Sequence, residues 1–160
     1  MDITWLINPQ LSIFETVGNN LKKMEKHFEL SDSEFEQQFI ICELNPEIFT
    51  HEAHLRLTWI NIKKYGIEKA ETNIPRQLRE YIKSVGAENK YNTTLTFAAI
   101  KAVYHFMLKS DSISFQEFMI EFPRLKNNFT ELMSCHYGFD IYNSEKAKMK
   151  FMEPDLLPFD

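Results

Sequence analysis

Glycine is nearly absent from this chain: four stand in 160 residues, beside six prolines. Tight turns, bulges and phosphate-cradling loops need positive-φ backbone that glycine supplies at least steric cost, so sandwiches, barrels and glycine-rich nucleotide folds are poorly served here. Helices joined by short connections are not. Hydrophobic residues make up 44% of the chain and aromatics 14%, enough for one packed core but not for two full domains. The reading is an all-α fold, a single-domain helical bundle of about six or seven helices over residues 1–160, with N-terminal helices over about 10–44.

Periodicity supplies the elements. Phe14, Val17, Leu21, Met24 and Phe28 form a core-facing stripe over residues 10–29. Ser31 and Glu34 have capping-box spacing and open a helix predicted to reach about Leu44, where Asn45-Pro46 stops it. The next helix runs from about Pro46 or Phe49 to Tyr65, closed by Gly66 as a left-handed cap. Ile67 to Val85 make one kinked helix with Pro75 inside, ending at Gly86. From Leu95 the pattern is apolar nearly all round, which marks a helix central to its bundle. Ser114 and Glu117 form a second capping box before Phe115, Phe118, Met119 and Phe122, and Pro123 halts that short helix. Residues 129–137 suit one more helix, and Ser144 caps a last basic turn before a tail that Pro154 and Pro158 keep extended.

Charge and composition exclude several functions. The net charge is −5, and the two lysine groups, Lys22, Lys23 and Lys26, then Lys146, Lys148 and Lys150, adjoin Glu25, Glu29, Glu145 and Glu153. Those are solvated helix faces, so no nucleic acid is expected as a partner. No window approaches the roughly 18 apolar residues of a membrane span, so no membrane is expected either. Asp2 and the early break at Asn8-Pro9 speak against a signal peptide, and a cytoplasmic location follows. Cys42 and Cys135 are too few for a disulfide framework and lack metal spacing; they read as buried thiols.

One constellation carries chemistry. His51-Glu52-Ala53-His54 stands at the start of a helix, and three residues turn it by about 300°, leaving the imidazoles roughly 60° apart on adjacent turns. Both could face one ion or one ligand. Zinc peptidases place histidines four apart, and catalytic zinc takes three protein ligands, so further donors must come from elsewhere in the fold. Glu52 points to another side and is the poorer candidate as a partner, while Arg56, Trp59 and Lys63 share a further face. The plainer account is a partly exposed pair, one member making a structural hydrogen bond. His105 reads as a core or boundary histidine, and His27 and His136 have no partner nearby in sequence.

Phe49-Thr50-His51-Glu52-Ala53-His54-Leu55, then Tyr91-Asn92-Thr93-Thr94-Leu95-Thr96, then Pro154-Asp155-Leu156-Leu157-Pro158 resemble an uncharacterised bacterial family over about residues 49–158. Its members carry a Thr-His-x-Ala-His-Leu block, a Gly-Tyr-His-Glu-Thr-Leu-Thr block and a Pro-Asp-Leu-x-Pro tail. The resemblance implies a four-donor cluster between two helices, suited to a metal or to acid/base work. Here the His-Glu positions of the second block are Asn92 and Thr93. The function expected is binding of a small molecule or a divalent metal in a polar inter-helix pocket lined by His51, His54, Asn92 and Thr94. His51 and His54 would be the metal ligands or, in an enzyme, the general base. Asn92 and Thr93 read equally well as helix N-caps. The alternative is a non-catalytic interaction or regulatory protein with a degenerate site, its Phe115–Phe122 stripe serving as a partner surface unless it is simply core. No catalytic residue is assigned at this level, and a homo-oligomer is compatible with the sequence.

Overall fold

The structure, a computed structural model, describes residues 24–159. It is all-α. Among the described residues eight α-helices follow in order: α1 (Asp32–Ile40), α2 (His51–Tyr65), α3 (Ile67–Ser84), α4 (Thr93–Met107), α5 (Phe115–Glu121), α6 (Arg124–Asn127), α7 (Phe129–His136) and α8 (Glu145–Met149). No strand occurs among the described residues, and no helix among them is long and apolar enough to cross a membrane. Most of the stripe over residues 10–29 lies outside the described residues; its end, Lys26–Glu29, is a 3₁₀ turn.

The helix starts follow the local chemistry. Ser31 and Ser114 each close a capping box with Glu34 and Glu117, and Thr50, Asn92 and Ser144 cap α2, α4 and α8 through their side chains. Each such cap satisfies an orphan backbone donor and contributes about 1 kcal/mol.

Two stops differ from the sequence reading. α1 ends at Ile40, short of Leu44, because Cys42 takes φ 60° while its N–H bonds Phe39 O at 3.1 Å and the Glu43 N–H bonds Gln38 O at 2.8 Å. This is a Schellman closure with cysteine in the left-handed position, a conformation that costs a side chain about 1–2 kcal/mol and that composition does not announce. α3 closes the same way with the expected glycine: Gly86 has φ 70°, and Ala87 N–H reaches Ile82 O at 2.8 Å. Gly66 is not a left-handed cap. Its φ 82°, ψ 166° belong to a region essentially restricted to glycine, and it both ends α2 and begins α3. α3 runs as one helix through Pro75.

The core centres on α2, which packs against α1, α3, α4, α5 and α6; α4 packs against α2, α3 and α8. The apolar α4 is largely buried, yet the most enclosed helix is the more polar α2, buried continuously from Glu52 to Ile62. Interior polar groups require partners. Thr58 Oγ1 donates to His54 O at 3.0 Å and Asn61 Nδ2 to Leu57 O at 3.2 Å. Around them Phe39, Phe49 and Tyr81 form an aromatic cluster with centroids 4.6–5.1 Å apart. Phe115, Phe118 and Met119 are buried as well, so that stripe is core. The thiols are less enclosed than expected: Cys42 is half-buried and Cys135 exposed.

Candidate metal centre

Thr50, the residue before α2, has a hydroxyl that serves two partners. Its Oγ1 accepts from Ala53 N–H at 3.2 Å, which starts the helix, and donates to Glu25 Oε2, which draws the preceding chain onto that helix end. One turn further on, Arg56 is only 4% exposed. Its guanidinium donates to His27 O, to Leu30 O at 2.8 Å and to Asp32 Oδ1 through Nη2 and Nε at 2.7 and 2.9 Å. The planar fork thereby clamps residues 27–32 against α2, and its face lies over Phe35 at 5.0 Å.

The clamp brings three metal-ligating side chains together. One ligand atom each from Glu25, His27 and Glu52 lie within 4.8 Å of one another. Donors about 2.1 Å from an octahedral ion stand about 3 Å apart when adjacent and about 4.2 Å when opposite, so a small inward adjustment would accommodate one. His27 is fully buried; its Nε2 lies 3.3 Å from Glu25 Oε2, and Nδ1 has no hydrogen-bond partner among the described residues. The fourth member is a cation: Lys126 of α6 places Nζ 3.0 Å from Glu25 Oε1 and bonds Glu52 Oε2.

Burial and these contacts set the charges. Burial opposes ionisation of Glu25, but contacts from His27, Thr50 and Lys126 outweigh it and hold its carboxyl well below the usual carboxylate range. Glu52 is pushed up, first by burial and then by the nearby Glu25 charge, against the pull of Lys126. Burial favours the neutral form of His27 despite Glu25, and a neutral imidazole is the form that ligates a metal.

The residues singled out from sequence are placed as follows. His51 Nε2 is 2.9 Å from Leu125 O, its ring is 5.0 Å from that of Phe129, and burial pushes it down to about 4. His54 is buried, its ring 6.0 Å from Phe49, and burial together with His51 lowers it to about 3. Both are neutral at pH 7. Asn92 uses Oδ1 to cap α4 through Leu95 N–H at 2.9 Å and Nδ2 to bond Ile141 O at 2.8 Å. Thr93 Oγ1 donates to Lys148 O, while Thr94 Oγ1 donates to Lys150 O at 2.9 Å and accepts from Met152 N–H at 3.0 Å. This second block thus fastens the C-terminal segment across the start of α4.

The cluster draws on residues the sequence reading passed over. Glu25 looked like one acid beside a lysine group, and His27 had no visible partner. Glu52 does point away from the His51–His54 face, but the side it points to is occupied by residues 25–27 and α6, not by solvent. The only advance signal was a pair of short patterns, Glu25-x-His27 and His51-Glu52, whose meeting depends on the Arg56 clamp. No protein-family model matches the chain, and neither a curated protein nor a solved structure shows significant similarity to it.

Proposed function

We propose that the protein binds a divalent transition-metal ion through Glu25, His27 and Glu52. The observation that carries this reading is the convergence of two carboxylates on a fully buried imidazole whose Nε2 stands 3.3 Å from Glu25 Oε2. A nitrogen plus two carboxylate oxygens is a donor set that suits manganese, iron(II) or zinc. The reading keeps the divalent metal suggested by the His51-Glu52-Ala53-His54 block and moves its ligands one face around α2. The family resemblance supports a site at this helix end, and a cytoplasmic location belongs to the same proposal. A neutral ligand held by His51, His54, Asn92 and Thr94 is less favoured, because Asn92 and Thr94 are engaged by backbone groups.

The test is metal analysis of the full-length protein after chelation and re-equilibration with manganese, iron(II) or zinc. Wild type is expected to retain about one equivalent and Glu25→Gln/Glu52→Gln less than about a tenth. Retention of the full equivalent by that variant, with loss in His51→Ala/His54→Ala, would move the ion to the histidine pair. No retention by wild type would overturn the metal reading.

A further inference from the structure

The site just described already contains a cation, the ammonium of Lys126. Its Nζ is shared by Glu25 and Glu52, the same two carboxylates that would hold a metal. Two carboxylates, a neutral imidazole and one ammonium sum to −1; replacing the ammonium by a divalent ion gives zero. A metal that takes Glu25 Oε1 and Glu52 Oε2 would occupy the two oxygens the ammonium now holds, so its entry there requires the lysine to leave.

The surroundings allow that departure. Lys126 is the more open partner: its side chain is 35% exposed, against 26% for Glu25 and 7% for Glu52. The side of the cluster from which the lysine reaches in is therefore also its way out to water. The backbone beside it is held, since Leu125 O, the carbonyl just before Lys126, is 2.9 Å from His51 Nε2. A flexible four-carbon stem on a fixed anchor can swing into solvent without moving α6.

Resting on the proposed metal reading, we infer that Lys126 is the specificity-determining residue of the site, an internal competitor that only strongly coordinating divalent ions displace. Sodium and potassium bring no more charge than the ammonium already present. Magnesium and calcium prefer oxygen and gain little from His27, so they compete poorly. Manganese, iron(II) and zinc gain the imidazole bond in addition to both carboxylates and evict the lysine. Ion selectivity thus comes from the cost of displacement as well as from the ligands.

The experiment compares wild type with Lys126→Met, which keeps the stem and removes the charge, by calorimetric titration with zinc, manganese, magnesium and calcium. The expected result is at least about tenfold tighter zinc and manganese binding in Lys126→Met, with magnesium or calcium binding that wild type lacks. Unchanged or weaker zinc binding in a folded Lys126→Met overturns the role of Lys126 while leaving the metal reading intact. Absence of zinc and manganese binding in both proteins overturns the metal reading and this inference with it. A second measurement needs no variant: the rate of acetylation of Lys126 in wild type, read by peptide mass spectrometry. It should rise several-fold when zinc is added, because the released amine reaches solvent, and an unchanged rate with zinc bound refutes displacement.

Discussion

Replacement of Asn92 by alanine removes two interactions that the structure keeps separate. Its Oδ1 accepts from Leu95 N–H at 2.9 Å as the N-cap of α4, and its Nδ2 donates to Ile141 O at 2.8 Å, with the residue 1% exposed. Loss of an N-cap costs about 1 kcal/mol. A buried carbonyl deprived of its donor costs about 1–3 kcal/mol, since no water takes the vacated place without opening the site. Asn92→Ala should therefore lose about 2–4 kcal/mol, equivalent to about 4–16 °C in Tm for a protein of this size. Asn92→Asp preserves the cap acceptor but sets a second carboxylate oxygen against the Ile141 carbonyl at a buried position, so its loss should be at least as large as that of alanine. Urea unfolding followed by circular dichroism orders the three proteins. An alanine variant within about 0.5 kcal/mol of wild type, or an aspartate variant as stable as wild type, would refute the assignment of Asn92 as a cap and strap.

Other outcomes follow from the same contacts. His54, whose pKa burial lowers from 6.5 to about 3, binds its proton more readily unfolded. The stability owed to the neutral form is present above pH 6.5 and lost as pH falls toward the folded value. Between pH 7 and 5.5, His54→Gln should lose about 1 kcal/mol less than wild type in paired denaturation curves, and parallel curves would contradict it. Arg56→Met leaves Asp32 and the carbonyls of His27 and Leu30 without their shared donor, so a loss of about 3–5 kcal/mol is expected in chemical denaturation, with Arg56→Lys recovering only part. Gly66→Ala meets no atom within 4 Å, yet the φ of 82° should cost about 1–3 kcal/mol of stability, measurable as a fall in Tm. A neutral result there would show that the α2–α3 junction can relax.

Where a helix begins and which face it buries were readable because both depend on residues three or four apart. The capping boxes at Ser31 and Ser114, the N-cap at Asn92 and the continuous α3 through Pro75 follow from such spacing. Helix ends were less legible: α1 stops at a left-handed cysteine that local propensity disfavours, and only the Phe39 and Gln38 carbonyls identify the closure. The candidate site was half legible. The start of α2 stood out as a polar constellation, but its working face was set by contacts across 24–74 residues, from Arg56 to Asp32 and from Lys126 to Glu52.

The scarce glycines and the apolar periodicity by themselves determined an all-α bundle with helix starts near those observed, because caps and stripes are local and additive along a chain. Only the tertiary structure decided that polar α2 would be the hub, that Glu52 would be buried, and that Glu25, His27 and Lys126 would meet it. Burial of charge depends on which opposite charge arrives from a distant segment, and no spacing within one helix encodes that arrival.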